Sequence, residues 1–470
     1  MENIADIYEL SPMQQGMLFH TLYAPKSGVY FEQRNCILHG KLNVTAFKQA
    51  WQQVVARHPV LRTSFYWEEI DKPLQVVYQS VDLPWVEYDW LGLTPTEQEE
   101  QLEAFLQADR EQSFELNRAP LMRCALIKVR EDAYQFVWSH HHLLMDGWCN
   151  AIILKEVLSF YEAFNKSQNL YLNTPRLYRD YIIWLQQQNN SQAEAFWRQA
   201  LQGFTAPTPL VVNANVGNLS NQKEIYDHQY LQLSATFTAA LQSLAAQHHL
   251  TLNTLVQGAW GLLLSRYSGE RDVVFGATVS GRPTSLSGVE FMVGLFINTL
   301  PVRMQVSPEA ELLPWLQQLQ AEQIEREQYS YSSLIDIQGW SDVPRGTPLF
   351  ESLVVFENYP VSLDAFLQEW SGSLEITKGR GFEQTNYPLT VVAIPGLEFS
   401  ARIQYECGRF DTATVKRMVG HFQTLLSAIV ANPFQRLKNL PLLTEPELHQ
   451  LLVEWNDTQT EYPQDKCIHS

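Results

Sequence analysis

The stretch from Tyr134 to Trp148 constrains this chain most, because an alternating strand pattern runs directly into three consecutive histidines and an Asp-Gly turn. Tyr134, Phe136 and Trp138 alternate with Gln135, Val137 and Ser139, the period-two signature of a buried strand. Asp146-Gly147 then supplies a turn ahead of a helical run from about Cys149. The histidines therefore sit at a strand end, where alternation places His140 and His142 on one face and His141 on the other.

Three roles compete for these side chains. A structural histidine with a locked tautomer suits His140 and His141. A metal centre needs three convergent ligands, which alternation separates, and no Cys or Glu lies within Ser139–Trp148. A base for acyl transfer suits His142 best: an imidazole titrates near neutrality, can take a proton from an attacking amine or hydroxyl, and works well at a strand end facing a cleft. Asp146, four residues on and across the turn, can orient that ring or pair with an arginine. Gly147 permits close backbone approach, and an N–H there can stabilise an oxyanion. With 12 His and 22 Gly in 470 residues, a chance match to paired histidines, three residues and Asp-Gly is on the order of one in a thousand.

The length implies two lobes of roughly 200 residues each. No apolar run reaches the ~18 residues of a membrane span, and the start, M-E-N-I-A-D-I-Y-E-L, lacks the basic and apolar blocks of a signal peptide, so a soluble, cytoplasmic protein is expected. Five scattered cysteines without a CxxC pair argue against a disulfide framework and a thiolate zinc site. A formal charge of -18 argues against a nucleic-acid partner, which needs a basic face.

Along the chain, Ser11-Pro12 should cap a helix, Val44–Arg57 repeats apolar residues at helical spacing, and strands are expected near Tyr30–Leu38, Leu74–Tyr78 and Leu121–Val129. Residues 205–222, rich in Pro, Asn, Ser and Gly, should form an exposed loop. From Asp227 a strand, two helices and a further strand repeat the plan of the first half without its histidines. A Gly/Ser/Pro/Arg loop follows at Gly281–Gly288, then a strand-like block at Val293–Arg303. Gly381–Leu389 reads as a long excursion, and Val391–Tyr405 as a hairpin.

Six blocks in order, L-S-P-M-Q-Q-G-M-L-F-H (Leu10–His20), R-H-P-V-L-R-T-S-F (Arg57–Phe65), H-H-L-L-M-D-G-W (His141–Trp148), Y-R-D-Y-I-I-W (Tyr178–Trp184), V-G-L-F-I-N-T (Val293–Thr299) and P-R-G-T-P-L-F (Pro344–Phe350), resemble the condensation domains of non-ribosomal peptide synthetases. The resemblance implies a mixed α/β (α+β) fold of two chloramphenicol-acetyltransferase-like lobes in a V-shaped pseudodimer. The expected division is 1–175, 176–445, and a linker 446–470 toward an adenylation domain. It further implies that donor and acceptor peptidyl carrier proteins deliver thioesters on phosphopantetheine arms into a tunnel between the lobes. The domain itself is expected to bind no cofactor or metal, to touch no nucleic acid or membrane, and to be monomeric when excised. The acceptor amine would attack the donor thioester to form a peptide bond. His142 would act as base or as a positioning group, supported by His141. Asp146 would pair with Arg62, Gly147 would keep the tunnel open, and Asn298 and Asn386 would line it. The opening block and the D-G-W-C ending look more like domains that accept a donor ending in a D-residue. Two rivals share the fold: an epimerisation domain, for which Glu383 is the second acid/base to inspect, and a non-catalytic recruitment platform, which usually loses the histidine motif.

Overall fold

Local chemistry starts the elements where the sequence places them. Ser11 caps the helix Pro12–Tyr23 through a reciprocal box with Gln14, with Pro12 in the first turn. In Val44–Arg57 the apolar spacing buries Phe47, Trp51, Val54 and Val55 against the helix Trp148–Asn165. The computed structural model describes residues 3–25, 27–210, 226–359, 366, 370 and 372–457, apart from the side chains of residues 378 and 380. Residues 211–222 of the expected loop and 458–470 of the expected linker lie outside this set.

In chain order the strands are β1 Ile4–Glu9, β2 Phe31–His39, β3 Thr63–Tyr66, β4 Leu74–Tyr78, β5 Trp85–Asp89, β6 Met122–Arg130 and β7 Ala133–His141 in the first half. The second half adds β8 Tyr226–Gln232, β9 Asp272–Val279, β10 Asn298–Gln305, β11 Ser352–Phe356, β12 Glu375–Phe382, β13 Leu389–Ile394 and β14 Ser400–Glu406. They form three sheets among the described residues: β1-β4-β3, β12-β2-β7-β6-β5 and β10-β9-β11-β13-β14-β8. Helices pack on these sheets around two large cores, one centred on Trp51, Phe136 and Trp138, the other on Trp260, Phe275 and Phe422. This is the two-lobed mixed fold the resemblance implies.

The halves are not independent along the chain. β12 pairs antiparallel with β2, so a strand from the second half completes the first half's sheet. Tyr178, Tyr181 and Ile182, together with Val289, Met292, Val293, Leu295 and Phe296, bury in the first core. The expected boundary at 175 therefore precedes three segments that pack back across it. Val293–Ile297, expected within a strand, is irregular instead, and the strand begins at Asn298. Its carbonyls are committed elsewhere: Tyr178 Oη donates to Leu295 O at 2.6 Å and Asp146 N donates to Gly294 O at 3.2 Å. Part of the excursion expected at Gly381–Leu389 is the end of β12.

Candidate active site

β7 delivers the histidines. Its ladder with β2 continues one step past the strand, where His142 N donates to Tyr30 O at 2.9 Å. The His142 ring stands edge-on to Tyr30, with Nε2 3.8 Å from Glu32 Oε1 and a buried Nδ1 that no protein group meets. Glu32 lies on β2, and burial followed by the nearby Glu383 raises its carboxyl above the usual range while His142 pulls it back.

The other two histidines are engaged by neighbouring groups. His141 Nδ1 accepts from Leu143 N at 3.1 Å, and its Nε2 lies 3.3 Å from Thr21 Oγ1. Thr21 donates its own hydroxyl to Met17 O, so the bond to His141 assigns the imidazole proton to Nε2. Burial, then His142, pushes His141 down to about 3, which keeps it neutral. His140 stacks on Trp138 at 5.0 Å between ring centroids and is likewise held neutral by burial. Strand alternation thus separates His141 from the other two, and the stack on Trp138 engages His140.

Asp146 pins the turn, but with a different partner from the one expected. Its Oδ1 meets Arg282 Nη2 at 3.2 Å and its Oδ2 accepts from Phe296 N at 2.9 Å. Both side chains of the pair are almost wholly buried, and Arg282 lies over the ring of Phe296 at 4.0 Å. Arg62, the expected partner, instead donates to four carbonyls, those of Val55, Ala56, Tyr78 and Gln79. Two of these end the helix Val44–Arg57 and two lie at the end of β4 and just beyond it, so the guanidinium closes a helix terminus. Gln14, from the first sequence block, supports the same turn by donating to Leu143 O at 3.0 Å.

A narrow cavity of about 80 Å³ opens in front of His142 and draws its walls from both halves of the chain. Met13, Met17, Tyr30 and Gly147 come from the first, and Thr278, Glu357, Tyr359 and Asn386 from the second. Asn386 borders this cavity and accepts from Tyr30 Oη at 2.7 Å. Asn298 is not among the wall residues: it is buried, and its Nδ2 donates to Ser330 O and Ser332 O, bracing that loop. Gly147 borders the cavity with φ -60°, an ordinary helical value, so close approach and not backbone freedom demands a glycine there. A Cβ would lie 2.3 Å from Tyr359 Oη.

Of the charges around His142, sequence reading singled out Glu383 alone. Arg34 sits 3.4 Å from Glu32 and 3.9 Å from Glu383, and Arg402 donates to Glu383 at 2.5 Å. Burial opposes ionisation of Glu383, but Arg402 and then Arg34 outweigh it and hold the carboxyl below its usual range. Glu357 is pushed up to about 7, by burial first and Glu383 second. Glu32 and Arg34 at spacing two on a buried strand were the available signal.

Comparison with known proteins agrees with this geometry. A condensation-domain family profile matches residues 4–452. The chain belongs to that family. Its relatives include one of the linear gramicidin synthase proteins of Brevibacillus parabrevis, 45% identical over 469 residues, with 100% of this chain matching 9% of that protein. Bacitracin synthase 3 of Bacillus licheniformis is 35% identical over 99% of the chain and 7% of its own length. The chain thus spans under a tenth of these relatives. Among solved structures, a four-domain nonribosomal peptide synthetase bound to AMP and glycine matches with TM-score 0.79 and 19% identity, over 94% of this chain and 34% of that one. The X-domain from teicoplanin biosynthesis matches equally well, at TM-score 0.79 and 22% identity, over 93% and 97% of the two chains. At such identities these neighbours establish the fold alone.

Proposed function

We propose that this condensation domain forms a peptide bond between two carrier-bound thioesters. The amine of an acceptor aminoacyl thioester attacks the donor's thioester carbonyl; a C–N bond forms, the C–S bond breaks and the pantetheine thiolate leaves. His142 takes the proton lost by the amine, and Glu32 at 3.8 Å stabilises the resulting imidazolium. Gly147, at the start of the helix Trp148–Asn165, places that helix's N-terminal dipole beside the carbonyl as it gains negative charge. The observation carrying this reading is the pairing of His142 with Glu32 at the wall of a cavity that both halves complete.

Glu383 serves poorly as the second acid of an epimerase, because two guanidiniums hold it ionised. The intact motif and open cavity favour catalysis over a pure recruitment role. The partners in this reading are donor and acceptor carrier proteins, which supply the phosphopantetheine arms, and an adenylation domain reached through residues 446–470, in the cytoplasm. From the opening block and the D-G-W-C ending we assign the donor a D-residue at its reactive end.

Carriers loaded with L- or D-ended donors, mixed with a loaded acceptor carrier, test all of this. Wild type should give amide product faster with the D-ended donor, and His142→Ala should lower the rate about 10²- to 10⁴-fold while remaining folded. Normal product from His142→Ala would remove the residue from catalysis. Inversion of the donor without amide formation would replace the reading with epimerisation.

A further inference from the structure

A second, larger cavity of about 650 Å³ adjoins the first in the later half of the chain. Thr278 belongs to the walls of both, and Trp148, next to Gly147, borders the second. Alternation along β11 and the residues after it divides the two spaces: Val355 and Glu357 face the His142 cavity, whereas Phe356 and Asn358 face this one. The volume lies within the several hundred Å³ usual for a ligand site, room for a few peptide residues.

Three buried polar atoms in its wall meet no protein partner: Gln257 Oε1, Gln323 Oε1 and Arg326 Nη2. Gln257 is 2% exposed and Arg326 8%, so neither is a surface group left to bulk water. The Gln257 amide is fixed in orientation, because its Nε2 donates to Asn253 Oδ1 at 3.1 Å. The unmatched set is therefore two acceptors and one donor. An anion would satisfy the guanidinium but face two carbonyl oxygens. A peptide backbone offers both N–H and C=O, and Leu300, Phe356 and Pro395 supply apolar surface for its side chains.

We infer that this cavity receives the upstream residues of a peptidyl donor, whose backbone amides pair with Gln257, Gln323 and Arg326. The inference rests on the amide-bond-forming reading above. In that reaction the acceptor contributes one residue while the donor carries the whole growing chain, so only the donor needs further space beside the narrow cavity at the reaction centre.

The test compares carrier proteins loaded with a single-residue donor and with a tetrapeptidyl donor of the same C-terminal residue. Gln257→Leu and Arg326→Met each remove one hydrogen-bonding group, and should raise KM for the tetrapeptidyl donor about three- to tenfold. The KM and kcat of the single-residue donor should stay within about twofold. Gln242, an exposed wall residue on the helix Ala235–Gln247, permits a check that spares the core: Gln242→Trp should slow the long donor and leave the short one unchanged. Equal effects on both donors, or none on either, would overturn the inference. Absence of product from wild type with either donor would instead overturn the amide-bond reading.

Discussion

Gly147 is held to its identity by the Tyr359 ring. With the nearest phenol atom 2.3 Å from where a Cβ would stand, Gly147→Ala forces the tyrosine aside at about 1–3 kcal/mol of stability. In a Tyr359→Ala background the same change should cost nearly nothing, and a denaturant double-mutant cycle reads the difference. An identical cost in both backgrounds would mean that Tyr359 is not what excludes the side chain. At this scale the sequence was informative: although His140 shares its face, His142 could be set apart from His141 by strand parity alone. Its partner Glu32 could not, because an acidic residue 110 positions away reaches the imidazole only when β2 lies beside β7.

At the scale of elements, the loop Gly281–Ile297 clamps the motif turn. Gly281 takes φ +60°, and a Cβ there would run into Phe296 O, so a glycine is required where the loop turns back on itself. Arg282 then holds Val289 O at 2.6 Å and Met292 O at 2.9 Å while pairing with Asp146. Removing one member of so buried a pair strands the other. Asp146→Ala should therefore cost about 3–5 kcal/mol in equilibrium unfolding, and Asp146→Leu/Arg282→Met should recover most of it. A loss below about 1 kcal/mol for the single variant, accompanied by lost turnover, would make Asp146 a chemical group and not a brace. Arg62 shows why the sequence misassigned this partner: a guanidinium is satisfied by carboxylate or by carbonyls, and residue type does not say which lies within reach.

Across the whole molecule, β2, β11 and β14, with the segment after β12, gather Glu32, Arg34, Glu357, Glu383 and Arg402 around His142. Glu357, raised to about 7 in the fold, keeps its proton where the unfolded chain has already lost its own. Its contribution to stability is thus full below about pH 4.3 and is lost as pH rises to about 7. Glu357→Gln cannot ionise, so its melting temperature relative to wild type should climb between pH 5 and pH 8. A constant difference across that range would show that Glu357 ionises normally.

The sequence by itself determined the order of elements, the capped helices and the family, because caps, periodicity and motif blocks are local. Tertiary structure alone decided that β12 crosses into the first sheet, that Arg282 and not Arg62 meets Asp146, and that Asn298 braces a loop while Asn386 lines the site. Each of these depends on which distant backbone a side chain meets. Spacing along the chain carries no record of that until two lobes close around a shared cavity.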